Sequence, residues 1–248
     1  GPKVKNIGNC FAIGINIEEF EVDPANPYLT THEGVLYTKD MSKLIRFPES
    51  HYKKHSSYTV PEGVSMLQGR SFGGLLYYHE KTEFSINLPS TLTEANSIYN
   101  FLGTIFSEIN VNSSNANYTS IDGVMFDKSL KKALVLPTHY PQENYHIPSG
   151  TEIIDTYFAY TNQSVKNITI PSSVKKIDNF AFYADPNLAF GNIYLETDDS
   201  VELGNGAFTI GAMISSPTYH RTIHVKSDSL KAAIEGLYAL EDISVERW

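Results

Sequence analysis

The sequence predicts a strand-rich α/β solenoid: short parallel strands stacked in a curved sheet, with two inserted β-hairpins and a helix near the C-terminal end. Three observations predict it. A long internal duplication spans Phe20 to Pro148, a pair of apolar residues separated by one polar residue recurs throughout, and proline closes several of the strands so marked. Self-similarity at a regular spacing is the signature of repeat architectures, in which each unit buries its apolar face only against its neighbours.

The duplication sets NPYLTTHEGVLYTKDMSKLIRFP (Asn26 to Pro48) beside NANYTSIDGVMFDKSLKKALVLP (Asn115 to Pro137) at a constant offset of 89 residues, so that Gly34 meets Gly123 and Lys39 meets Lys128. Upstream, Phe20 and Val22 meet Ile109 and Val111. Downstream, after a two-residue slip, Tyr58-Thr-Val-Pro61 meets Tyr145-His-Ile-Pro148. The recurring pairs are Phe20/Val22, Tyr58/Val60, Ile86/Leu88, Ile109/Val111, Tyr145/Ile147, Ile168/Ile170, Ile193/Leu195 and Ile223/Val225. Their successive spacings are 38, 28, 23, 36, 23, 25 and 30 residues, and the two long gaps hold the duplicated inserts. Removing about fourteen residues from each long gap leaves a unit of about 22–30, the period of a leucine-rich repeat.

The elements follow in order. Residues 1–16 match no unit and stand as an unassigned N-terminal segment; residues 17–248 read as a single repeat domain. Each apolar pair reads as a short strand, because strand side chains alternate between faces. Pro61, Pro89, Pro148 and Pro171 end strands, since proline cannot extend the ladder. Val35–Tyr37 and Leu44–Phe47 flank the polar stretch Thr38–Ser42 and predict a hairpin, with Val124–Phe126 and Ala133–Leu136 as its copy. Behind the strands, Thr151, Ile154 and Ala159 in one unit and Val174, Ile177 and Phe182 in the next fill the core, and Phe208 closes the same pattern. Leu92, Ala95, Ile98, Leu102 and Ile105 follow helical spacing. So do Leu230, Ala233, Ile234, Leu237 and Leu240, with Asp228 as N-cap and the helix capping the C-terminal end.

IPSSVKKIDNFAF (Ile170 to Phe182), the GVLY and GVMF inserts at Gly34 and Gly123, and the stretch Ile223 to Leu230 resemble BspA-like, Treponema pallidum-type, leucine-rich repeats over about residues 17–245. Asparagine at the usual ladder position is missing from the units. The resemblance implies a non-catalytic protein, cell-surface or secreted and often bacterial, that serves adhesion or interaction with a host, a protein or a glycan.

Charge narrows the partners. With 28 acidic and 19 basic residues the net charge is −9, without a basic run, so a phosphate backbone or an anionic lipid surface is repelled. No apolar run approaches the roughly 18–20 residues of a membrane span. Nucleic acid and membrane insertion are therefore not expected. One cysteine, Cys10, makes no internal disulfide, and Gly1-Pro2 reads as a cloning scar.

Four stretches invite a chemical reading. Gly69-Arg-Ser71-Phe-Gly73 spells a nucleophile elbow, which needs a strand before it, a helix after it, and an acid and a histidine later in the chain. His79, His139 and Asp155 are present, but nothing in the sequence places them near Ser71. The repeat register instead puts Ser71 at the Ala181 position and Phe72 at the Phe182 position, so a serine esterase is the minor alternative. His51 and His55, after Pro48 and around Lys53-Lys54, read as a polar, solvated loop rather than a metal pair. Asp198-Asp199, with Glu196 and Glu202, lacks the alternating ligands of a calcium loop. Four glycosylation sequons begin at Asn112, Asn117, Asn162 and Asn167. No catalytic residue, metal or cofactor is expected.

The remaining candidate is the sheet face itself. The residue between each apolar pair faces away from the core: Glu21, Thr59, Asn87, Asn110, His146, Thr169, Tyr194 and His224. A second row, two positions earlier, holds Glu19, Ser57, Ser85, Glu108, Asn144, Asn167, Asn192 and Thr222. The first row is the expected ligand-binding face for a protein or glycan, with Tyr194 and the two histidines as anchors. A structural spacer within a larger surface protein is the alternative, and the sequence leaves the oligomeric state open.

Overall fold

Alternation of apolar and polar residues builds the strands, and stacking of successive units pairs them. The computed structural model describes residues 2–9, 11–12, 16–73, 83–95, 100–160, 162, 164–184, 191–210, 221–238 and 243–248. Contacts gather them into two compact units, Gly1–Lys128 and Ser129–Trp248.

In the first unit β1 (Leu29–His32), β2 (Val35–Thr38) and β3 (Lys43–Arg46) form an antiparallel meander. β4 (Ser57–Thr59) begins a separate parallel sheet, and β5 (Met66–Leu67) runs parallel to β3. β6 (Phe84–Leu88) and β7 (Phe106–Val111) continue the parallel sheet, aligning Tyr58 with Ile86 and Ile86 with Ile109. β8 (Tyr118–Ile121) and β9 (Val124–Asp127) repeat the antiparallel pairing of β1 and β2. The turns are alike as well. Glu33-Gly34 has φ of 47° and 75°, and Asp122-Gly123 has 50° and 75°. Two successive positive φ values match the right-handed twist of a two-residue hairpin. Strands β1 and β8 were not expected; their turn chemistry, not their alternation, creates them.

The second unit holds two parallel sheets. Two-residue strands stack behind the main sheet: β10 (Lys132–Val135) pairs through two residues with β12 (Ile153–Ile154), followed by β14 (Lys176–Ile177) and β16 (Glu202–Leu203). The main sheet runs β11 (Asn144–His146), β13 (Asn167–Ile170), β15 (Asn192–Leu195), β17 (Arg221–Val225) and β18 (Ile243–Arg247). Between the sheets Ile168, Ile193, Ile223, Ile154, Ile177, Phe158, Phe182 and Phe208 are fully buried, with the rings of Phe182 and Phe208 stacked 5.8 Å apart.

Three expectations change. Phe20 and Val22 lie in no strand and are half-buried, because no described strand pairs with them. The helix expected over Leu92 to Ile105 is shorter than that span among the described residues: Asn100 is helical, Ile98 lies outside the described residues, and Leu92, Ala95, Leu102 and Ile105 are not helical. There the Thr93 and Glu94 amides donate to the Ser65 carbonyl of the preceding coil, and Leu92 and Ile105 enter the core from irregular backbone. At the C-terminal end, α1 (Asp228–Leu237) is capped by Ser227, whose Oγ accepts from the Leu230 amide at 3.1 Å, rather than by Asp228. Leu230 and Ile234 are buried and Leu237 is exposed, while Leu240 lies outside the described residues. Strand β18 follows α1 and forms the last strand of the described sheet.

Although the usual ladder position lacks it, asparagine still ties coil to coil. Asn26, Asn115 and Asn162 are buried, and each Oδ1 accepts the amides two and three residues on. Asn115 Nδ2 donates to the Pro89 and Leu92 carbonyls, and Asn162 Nδ2 donates to the Pro137 carbonyl. No described helix is long and apolar enough to cross a membrane.

Candidate functional site

The alternation that buries the apolar pairs turns the first candidate row outward in every coil that forms a strand. In the first unit Thr59, Asn87 and Asn110 align in register. Asn87 Nδ2 donates to Thr59 Oγ1 at 3.1 Å, and Asn110 Nδ2 to Asn87 Oδ1 at 3.4 Å. With Glu62 and Asn112 they line a groove of about 280 Å³. Hydrogen bonds from the Ser90 amide and hydroxyl hold the Glu62 carboxyl below its usual range. Glu21 is exposed but belongs to no strand.

In the second unit His146, Thr169, Tyr194 and His224 align in register, and Glu246 of β18 extends the row. The second row forms an amide chain. Asn167 Nδ2 donates to Asn144 Oδ1 at 2.7 Å, Asn192 Nδ2 to Asn167 Oδ1 at 2.8 Å, and His224 Nε2 lies 3.2 Å from Asn192 Oδ1. The Tyr194 and His224 rings stack 4.3 Å apart and 7° from parallel. Trp248 sets its ring at 68° to Tyr194, 5.1 Å away, and the Lys226 ammonium sits 3.5 Å from the Trp248 ring centre. His224 Nδ1 is 3.9 Å from a Glu246 carboxylate oxygen. Trp248 and Glu246 escaped the sequence reading because Ile243 to Trp248 carries no strand-closing proline and follows the helix, and Lys226 escaped with them because its partner is the Trp248 ring. The alternation of Ile243 and Val245 is the signal that was there to use.

The chemical candidates disperse. Ser71 in the first unit is fully buried, and its Oγ has no hydrogen-bond partner among the described residues. In a nucleophile elbow the serine takes the strained position; the residue with positive φ is Arg70, at 61°. The same coil position holds Tyr157, Phe180 and Gly206 at 58°, 54° and 61°, so this turn belongs to the repeat. His79 lies outside the described residues. In the second unit His139 is buried, and Asp155 is ion-paired to Lys132 at 2.7 Å.

His51 corrects the solvated-loop expectation. It is buried, begins a 3-10 turn over His51–Lys53, and stacks on exposed His55 at 4.2 Å. Burial, then the charge of His55, lowers its pKa. The Asp198 and Asp199 carboxylates accept hydrogen bonds from Ser200, Ser227 and Ser229. No group of three or more His, Cys, Asp or Glu side chains converges on a metal position among the described residues.

Short parallel strands carrying a buried apolar pair, stacked coil on coil with a second row of strands behind, define a leucine-rich-repeat solenoid. Residues 138–232 match the family model described as a BspA type leucine rich repeat region, in six copies. A leucine-rich repeat protein from Eubacterium ventriosum has the same fold, with a TM-score of 0.52 at 16% identity over 77% of this chain and 54% of that one. Pneumococcal vaccine antigen PcpA gives a TM-score of 0.45 at 15% identity, over 78% of this chain and 68% of its own. A leucine rich cell surface protein from Faecalibacterium prausnitzii gives 0.45 at 17%, over 79% and 61%. No curated protein matches the chain.

Proposed function

We propose that the protein is a non-catalytic binding module, secreted or held at a cell surface, that takes a protein or glycan ligand on the open sheet face of its second unit. The stacked Tyr194–His224 pair carries this reading. Two rings held parallel beside the half-exposed Trp248 give a rigid aromatic anchor at the end of an amide chain. Side chains already fixed by their neighbours lose little conformational freedom on binding, which favours affinity. Tyrosine and tryptophan are the usual carriers of binding energy at such centres. BspA-type repeats over residues 138–232 support the surface location and the absence of catalysis.

The test is an array of extracellular-matrix proteins and glycans probed with the purified protein at two salt concentrations. A saturable hit is expected, weakened at least about tenfold, or about 1.4 kcal/mol, by Tyr194→Ala with His224→Ala. A hit that survives this change but is lost with Asn87→Ala and Asn110→Ala moves the site to the groove of the first unit. A blank array with the fold intact by circular dichroism leaves the spacer role in its place.

A further inference from the structure

The internal duplication shows what should cover the edge of the first unit. In the second copy, β7 is satisfied on both edges. The Ile109 amide donates to the Gly123 carbonyl of the hairpin tip at 2.8 Å, and the other edge pairs with β6, setting Ile86 beside Ile109 and Leu88 beside Val111. The first copy reproduces one edge only. The Phe20 amide donates to the Gly34 carbonyl at 2.8 Å, and Glu19 packs over Gly34 as Glu108 packs over Gly123. On the opposite edge no described strand pairs with Glu19–Val22.

That vacancy has a shape. A cavity of about 360 Å³ opens beside it, lined among others by Val4, Ile7, Phe11, Phe20, Val22 and Leu29. Ile109 is fully buried, whereas its counterpart Phe20 is half-buried, and Phe11 at the rim is 45% exposed. Among the described residues, the N-terminal stretch stands in for the turn of a preceding coil. Asn26 Nδ2 donates to the Val4 carbonyl, where its counterpart Asn115 reaches Pro89 and Leu92.

We infer that Glu19–Val22 is an acceptor edge for an extended peptide segment that runs parallel to it and carries large apolar residues two apart, the chemistry of Phe84-Ser-Ile-Asn-Leu88. Backbone hydrogen bonds of an added strand supply affinity, and alternate side chains entering a pocket supply specificity. Backbone groups alternate between edges along a strand, so with the Phe20 amide on Gly34 those of Glu19 and Glu21 point to the open side.

The experiment titrates a synthetic peptide of residues 83–90, EFSINLPS, into the isotope-labelled protein and follows backbone amide shifts. Saturable changes confined to residues 19–36 are expected. Affinity should fall at least tenfold for the peptide with Asp in place of Ile86. It should fall likewise for the Glu21→Pro protein, which loses one amide on the open edge; unchanged shifts around Gly123 then show that the fold is intact. No saturable change, or changes centred on Ile243–Arg247, would overturn the inference. Self-association that Glu21→Pro abolishes would also overturn it, by making a second copy the occupant.

Discussion

Arg46 has its guanidinium almost wholly out of water, donating to the carbonyls of Arg70 at 2.6 Å, Gly73 at 2.5 Å and Ala12 at 3.2 Å and pairing with buried Glu49 at 2.6 Å. Arg221 does related work in the second unit, donating to the Phe182 and Phe208 carbonyls. A lone arginine in a strand reads from sequence as a solvated residue, so neither was singled out. The desolvation cost of such a pair is met only while both partners and their hydrogen bonds remain. The duplication supplies an uncharged alternative, because Val135 and Thr138 stand 89 residues beyond Arg46 and Glu49 and are buried too. Arg46→Val alone, which takes the guanidinium from the buried Glu49 carboxylate, should destabilise the fold by roughly 3–5 kcal/mol. Adding Glu49→Thr should recover about half of that, since the buried carboxylate is then gone together with its guanidinium. Urea denaturation of the two single variants and the double variant checks this. A double variant that loses the sum of the two would place the cost in the stranded carbonyls instead.

The elements were legible to the extent that packing alone dictates them. Apolar pairs such as Ile168/Ile170 become strands because every coil buries them in the same way, and that also made the outward row from Thr59 to His224 readable. What the alternation hid depends on partners. Leu92 and Ile105 suit a helix as well as an irregular coil, and only the bonds to Ser65 decide between them. Tyr194 and His224 are 30 residues apart in sequence, and their stacking follows from a register that spacing alone does not specify. The hairpin tips are the sharpest case of turn chemistry setting an element. Gly123 has φ of +75°, and a Cβ there would meet Glu108 Cγ at 2.9 Å and Cα at 3.2 Å. Gly63 also has positive φ, +98°, but nothing lies within 4 Å of its Cβ position. Both alanine variants are strained, and only Gly123→Ala must also push the β7 backbone away from the amide bond at Ile109. It should cost about 1–3 kcal/mol, clearly more than Gly63→Ala. Equal urea midpoints for the two would show that the close approach to Glu108 relaxes freely.

At the scale of the whole molecule, the shifted titrations act in concert. Among the acids, hydrogen bonds from Thr38 and Ser42 lower Asp40 from 3.8 to about 2, and Lys131 and Lys175 lower Glu152 from 4.5 to about 2. Glu19, Glu62, Asp198 and Asp199 are lowered as well, by Lys54 or by hydroxyl and amide donors. A group with a depressed pKa in the folded state binds fewer protons there than in the unfolded chain. Its contribution is therefore present above the unfolded value and is lost as pH falls toward the folded one. His51, lowered from 6.5 by burial, has the same sign and begins to lose its contribution first on acidification. The alkaline side runs in reverse. Burial raises Tyr37 and Tyr58 from 10.0, and carboxylates raise Lys54 and Lys176 from 10.5. Contributions of raised groups are complete below those unfolded values and are lost at higher pH. The urea midpoint plotted against pH should thus be a plateau around neutrality. On the acid side it should fall gently below 6.5 and steeply between 4.5 and about 2, and it should fall again above 10. His51→Phe, which keeps a ring against Phe47 and Tyr58, should remove the gentle shoulder and leave the steep acid limb in place. A shoulder that persists in this variant would assign it to another histidine.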